Sequence, residues 1–267
     1  MPELPEMETY KRLLTEKIVG KRIVECEVTR EKSINIGVVP FKQQLNGTSI
    51  TAIERRAKHL IFHLSSGKKM LLHLMLGGWI YFGNETDNPN RTKQISIHFH
   101  SGILYFIGLR LGYLHLLEEN ELNETLKNLG PEPLESAFSE EIFLPLLGKR
   151  KGSLKTLLTN QSFIAGIGNF YSDEICFEAG ILPMKKANEL TDGEKGNLYH
   201  AIQHVLRRGI QQGGYMEHPF FQHDTHTGQV HAYIYDKEGQ PCSRCAAKIQ
   251  KGEISGKKTF FCTNCQR

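Results

Sequence analysis

No apolar run in the 267 residues comes near the roughly 20 that a membrane-crossing helix requires, so a helical span is excluded. There is no internal repeat and no low-complexity tract. The opening MPELPEMETY is acidic and polar, unlike a secretory signal or an arginine-rich transit peptide, so a soluble cytoplasmic protein is the expectation. Cysteine is scarce over most of the chain. Only Cys26 and Cys176 lie outside the C-terminal region, both in apolar contexts that suit small core residues. Extreme charge is also absent. Lys and Arg number 33 against 29 Asp and Glu, and the net charge of +4 only leans toward polyanionic partners. Hydrophobic content of 39% is modest but sufficient for a core, and the length suits two compact domains or one large domain with an appendage.

The patterns that are present change along the chain. Met7, Tyr10, Leu13, Leu14 and Ile18 recur at helical spacing behind Pro5, which predicts an extended stub and one amphipathic helix. Short strand-like runs follow at residues 22–28, 49–55, 59–64, 70–74, 95–100 and 103–107, with a polar loop at 83–93. Their spacing predicts an antiparallel sandwich or flattened barrel. Gly130, Pro131 and Pro133 mark a linker. Beyond it, residues 140–160, 170–179 and 191–212 read as helices, 213–228 as a polar loop and 229–235 as a further strand.

Cys242-x-x-Cys245, sixteen residues, then Cys262-x-x-Cys265 is the strongest chemical signal. Two such knuckles hold four thiolates around a tetrahedral Zn²⁺, and a site with no open position is structural. Basic residues cluster at Lys149, Arg150, Lys151 and Lys155, and again at Lys248, Lys251, Lys257 and Lys258. Such clusters are compatible with nucleic acid and equally with a solvated face.

Pro2 gives a second signal. With Met1 removed it presents a secondary amine, whose pKa of roughly 7.7–8 leaves a nucleophilic fraction near neutrality. Attack on a sugar C1′ would give an iminium ion, with Glu3 alongside as a proton donor or acceptor. The plainer reading of PELPE is a helix N-terminus with acids suited to the dipole. Ala165-Gly-Ile-Gly-Asn-Phe-Tyr171 gives a third signal: either a backbone cradle for phosphate that includes Asn169, or a tight interhelical turn.

Taken in order along the whole chain, these segments resemble the formamidopyrimidine-DNA glycosylase and endonuclease VIII family. The carriers are Pro2-Glu3-Leu4-Pro5-Glu6-x-Glu8-Thr9, Arg55-Arg56-Ala57-Lys58, Leu129-Gly130-Pro131-Glu132-Pro133-Leu134, Gly166-Ile167-Gly168-Asn169-x-Tyr171 and Phe261-Cys262-x-x-Cys265-Gln266. The resemblance implies an α+β protein. An N-terminal antiparallel β-sandwich with flanking helices (1–130) would be followed by a linker (131–140). A helix-two-turn-helix domain (141–228) and a β-hairpin zinc finger (229–267) would complete it. It also implies a monomeric bifunctional glycosylase and abasic-site lyase with one structural Zn²⁺, acting on lesion-bearing duplex DNA and not on membranes. Pro2 would form the Schiff base, Glu3 would handle protons and Lys58 would assist elimination at the phosphate. Arg110, Lys151 and Asn169 would grip DNA around a flipped base, with His73 near the phosphates, although its place on a strand-like run equally suits a core role.

Several positions depart from that family pattern. Lys257 stands where the family has a hairpin arginine, keeping the charge but losing the planar fork. It is expected to act in catalysis with a product dominated by β-elimination. Leu76 replaces a wedge methionine and Leu111 a wedge aromatic, which removes ring stacking worth about 1–3 kcal/mol. The loop at 214–228 differs from the prototype, so the lesion excised is left open. A second reading therefore stands beside the enzyme: a paralogue that binds damaged or abasic DNA with little or no excision. A proline tautomerase would need neither Asn169 nor the cysteines.

Overall fold

The computed structural model describes all residues, Met1–Arg267. They form two compact units: Met1–Lys127 with Gln212–Gln229, and Asn128–Gln211 with Val230–Arg267.

The first unit begins with α1 (Leu4–Ile18), then β1 (Ile23–Val28), α2 (Val38–Leu45), β2 (Ile50–Arg56), β3 (His59–Leu64) and β4 (Lys69–His73). It continues through β5 (Trp79–Gly83), β6 (Lys93–Phe99), β7 (Gly102–Ile107), β8 (Tyr113–Leu117) and α3 (Glu119–Leu126). Two four-stranded antiparallel sheets result, in the orders β1-β6-β7-β5 and β2-β3-β4-β8. Met7, Tyr10, Leu14 and Ile18 of α1 share one core with Phe62, Leu72, Leu104 and Phe106 from the two sheets. The expected sandwich is therefore present.

Four elements of this unit go beyond the sequence reading. Trp79–Gly83 is buried at four of five positions, so it shows no alternation that would mark β5 as a strand. Its odd residues Trp79 and Tyr81 join Ile103, Tyr105 and Ile107 in a second apolar cluster, against which Met216 packs. The short strand β8 lies beside β4. The helix α2 buries only Phe41 and Leu45, and α3 is acidic with Leu122 and Leu126 on its packed side, so each eight-residue helix offers a single i,i+4 apolar pair, too short a stripe to mark it.

The second unit contains α4 (Glu140–Gly148), α5 (Leu154–Leu158), α6 (Asn169–Ala179), α7 (Asp192–Gln211), β9 (Gln250–Ile254) and β10 (Lys257–Phe261). The single helix expected over 140–160 is two helices. Pro145 sits inside α4, and Ser153 restarts the helix by accepting the Thr156 N–H. Residues 229–235 are not a strand. The Glu174 carboxylate accepts the N–H groups of Tyr233, Ile234 and Tyr235 at 2.9–3.1 Å, so a side chain satisfies the amides that a neighbouring strand would have taken. The zinc-finger region packs on α6 through Phe177, Ile234, Ile249 and Phe260.

Residues 212–229 group with the first unit and not with the helices that precede them. The reason is Phe220, fully buried in the sandwich core with its ring 5.9 Å from that of Tyr10. Its carbonyl accepts the Phe82 N–H at 2.7 Å, which fixes the loop to β5.

Candidate active site

In the first unit the chemistry gathers at the start of α1. Pro5 suits the first helical turn, and the Glu6 carboxylate reaches back to accept the Glu3 N–H at 2.8 Å. Glu3 and Glu6 are both 2% exposed, and Pro2 is buried beside them. The second Glu6 oxygen accepts the Tyr215 N–H at 2.9 Å. Lys58 occupies the two-residue link between β2 and β3, following Ala57 at φ 54°, and is 5% exposed. Arg55 ties that link to α1 through Glu8, at 2.7 Å.

The amine of Met1 sits among these groups. Burial lowers its pKa, Glu3 and Glu6 raise it, and Lys58 lowers it again. A desolvated amine beside an ammonium is biased toward its neutral, nucleophilic form. In this chain Pro2 nitrogen is the amide bonded to Met1, so Pro2 becomes an amine only when Met1 is removed.

His73 ends β4 opposite His59, with ring centroids 4.2 Å apart, and packs edge-on to Tyr113 at 5.7 Å. Burial, with Lys58 as the lesser cause, brings its pKa down to about 4. It is therefore a neutral imidazole at physiological pH, able to donate a hydrogen bond but not a charge.

Two prongs stand on the same unit. Leu76 is 67% exposed between Met75 at φ 53° and Gly77 at φ 81°, and Leu111 is 63% exposed. Their loops lie back to back, since a Cβ on Gly108 would fall 2.0 Å from the Gly77 carbonyl oxygen. Between them Leu109 is buried, held by Gln94 at its N–H and by Ser33 at its carbonyl. Arg110 is exposed, and its carbonyl accepts from Arg30 at 3.1 Å.

In the second unit Asn169 is the first residue of α6, behind Gly166 at φ 91°. Gln161 spans that turn, accepting the Gly166 N–H and donating to the Ile167 carbonyl. Lys155, fully buried, donates at 2.8 Å to both the Asn169 carbonyl and Asp173. Asp173 in turn accepts from the Thr259 hydroxyl at 2.6 Å and the Phe260 N–H at 3.0 Å. One buried ion pair thus joins the Asn169 turn to the hairpin. Lys257 opens β10 after the Ser255–Gly256 turn, both residues having positive φ, and Lys151 is exposed between α4 and α5.

The four cysteines meet at one point. Their Sγ atoms all lie within 4.8 Å of one another, with Cys242 to Cys265 at 3.8 Å and Cys245 to Cys262 at 3.5 Å. A tetrahedron of roughly 2.3 Å zinc–sulfur bonds has edges of about 3.8 Å, and none of the four is in a disulfide. The donor set fits one structural Zn²⁺.

Sequence reasoning passed over Glu6, Tyr215 and the Lys155–Asp173 pair. Glu6 was within reach, as the third residue of a helix capped by Glu3. Tyr215 and Asp173 carried no signal, because their partners are distant in the chain.

Comparison with known proteins decides the family. Residues 1–113 match the formamidopyrimidine-DNA glycosylase N-terminal domain, 129–219 its H2TH domain, and 239–267 the zinc finger found in FPG and IleRS. The chain belongs to the formamidopyrimidine-DNA glycosylase family. The formamidopyrimidine-DNA glycosylase of Pelotomaculum thermopropionicum is 35% identical over 274 residues, covering 100% of this chain and 99% of that protein. That of Lactococcus lactis subsp. lactis is 33% identical, covering all of both chains. Among solved structures, a Lactococcus lactis Fpg bound to abasic-site DNA superposes with a TM-score of 0.91 at 32% identity over 99% of each chain. A point mutant of the same enzyme, bound to Fapy-dG DNA, gives 0.91 at 33% over 100% of each.

Proposed function

We propose that this member of the formamidopyrimidine-DNA glycosylase family excises damaged bases from duplex DNA and cleaves the resulting abasic site, using Pro2 as nucleophile. The observation that carries the reading is the buried amino terminus set among Glu3, Glu6 and Lys58. Structural relatives bound to abasic-site and Fapy-dG DNA support it.

The steps follow from the groups present. The Pro2 lone pair forms a bond to C1′ of the damaged nucleotide while the base departs with its bonding electrons. The nitrogen loses its proton, Glu3 delivers one to O4′ as the C1′–O4′ bond opens, and the product is a ring-opened iminium ion. The iminium acidifies C2′, a proton leaves there, and the C3′–O bond breaks with release of the phosphate. Lys58 offsets the charge on that phosphate. Leu76 and Leu111 are the wedge that fills the gap left by the everted nucleotide. Asn169, Lys151 and Arg110 bind backbone phosphates, with His73 adding a neutral donor. Lys257 supplies one unforked charge, which favours an early stop after β-elimination. The Zn²⁺ holds the hairpin that presents Lys257. The setting of this chemistry is chromosomal DNA in the cytoplasm.

Borohydride trapping tests the proposal. Duplexes carrying oxidised bases or an abasic site should each give a covalent adduct that Pro2→Gly abolishes. Adduct on abasic DNA alone would leave a lyase without glycosylase action, and no adduct on any duplex would leave only a DNA-binding paralogue.

A further inference from the structure

Residues 212–229 are a fixed wall at the amino terminus. Their two ends pair, Gly228 N–H to Gly213 carbonyl and Gln229 N–H to Gln212 carbonyl, both at 3.0 Å. Gly213, Gly214 and Gly228 all have positive φ. A Cβ on Gly213 would lie 1.6 Å from the His226 carbonyl oxygen, and one on Gly214 would lie 2.4 Å from Glu6. Asp224 ties the tip, accepting the N–H groups of Phe220, His226 and Thr227 and the Thr227 hydroxyl. Phe220 anchors the loop in the core, His218 stacks on Trp79 at 4.4 Å and 19°, and the Lys17 ammonium lies 5.0 Å over the Phe221 ring. A segment held at so many points presents its side chains at set positions.

One of those side chains reaches the amine. The Tyr215 hydroxyl donates to the Met1 carbonyl at 2.9 Å while the Tyr215 N–H is held by Glu6. That carbonyl oxygen is two bonds from Pro2 nitrogen, so the phenol lies within about 5 Å of the atom that becomes the nucleophile. Removal of Met1 takes away the carbonyl and leaves the phenol facing the new amine.

We propose that Tyr215 is a positioning residue for the Pro2 nucleophile, its phenol oxygen accepting the amine N–H so that the lone pair points to the sugar. This rests on the assignment of Pro2 above. An abasic aldehyde makes the balance explicit. The amine nitrogen bonds to C1′, the N–H proton and one further proton leave with the aldehyde oxygen as water, and the iminium cation remains. The phenol keeps its own proton throughout. The same hydrogen bond favours the protonated amine over the neutral one. Glu3 and Glu6 from the start of α1 and Lys58 from the β2–β3 link act on the Met1 amine of this chain, and they stay in place when the phenol is removed.

The test compares full-length protein and its Tyr215→Phe variant, both with Met1 removed. The readouts are borohydride trapping on abasic duplex across pH, the Kd for the same duplex, and Tm. The expected result is trapping slowed about tenfold at its plateau, the worth of one hydrogen bond. The acidic limb of the profile should move to lower pH, with Kd and Tm unchanged. Trapping at the rate and pH profile of the parent protein would overturn the inference, as would a slowing that is uniform across pH. If the parent protein itself forms no adduct, the Pro2 assignment fails and this inference falls with it.

Discussion

His59 and His73 stand opposite each other on β3 and β4, where a family reading looks for phosphate contacts. Burial is the main cause that takes His59 down to about 3 and His73 to about 4, with the neighbouring imidazole and Lys58 adding to it. Both values lie below the 6.5 of an exposed histidine. As pH falls below 6.5, the unfolded chain binds protons that the folded chain refuses. The stability contribution of neutral imidazoles is therefore complete above pH 6.5 and is lost progressively toward pH 4. By pH 5 the loss for His59 alone is roughly 2 kcal/mol. Urea midpoints should drop between pH 7 and pH 5, and His59→Phe should flatten the drop. An equal slope in the variant would move the acid sensitivity to other groups.

Among the elements, the Lys155–Asp173 pair joins α5, α6 and β10. Burial pushes the Asp173 carboxyl up to about 6 against the pull of Lys155. Lys155→Met strands that carboxyl in an apolar setting, and breaking a buried pair on one side costs about 3–5 kcal/mol. Adding Asp173→Asn removes the stranded charge and should recover part of the loss, with hydrogen exchange at the Phe260 amide reporting on the hairpin. A double variant no more stable than the single would show that the ion pair is not the source. No sequence pattern exposes this link, since an aspartate on α6 bonds a strand 87 residues later. What the sequence does expose is local: the knuckle spacing of the cysteines, the short, regularly spaced strand-like runs of the sandwich, the Pro5 helix start. What it hides comes from burial on two faces, as in Trp79–Gly83, or from a single side chain doing the work of a strand, as Glu174 does for residues 233–235. The grouping of residues 212–229 with the first unit has the same origin, because Phe220 reads as a loop residue until the core it enters is known.

For the whole molecule, a net charge of +4 is too small to bind DNA by bulk attraction, so affinity must come from particular cations at particular phosphates. Each such contact releases condensed counterions and adds about 0.9 to the steepness of log K against log salt. The apolar prongs Leu76 and Leu111 release none. Two substitutions should therefore separate the roles on one lesion duplex. Lys257→Ala should weaken binding and make the salt dependence shallower by about one unit. Leu76→Ala should weaken binding to the same duplex with the slope unchanged, because it removes an exposed apolar side chain, the proposed wedge, and not a charge. Titrations at several salt concentrations read both effects at once. A slope untouched by Lys257→Ala would remove the hairpin lysine from the phosphate contacts, and with it the expectation that this residue shapes the elimination product.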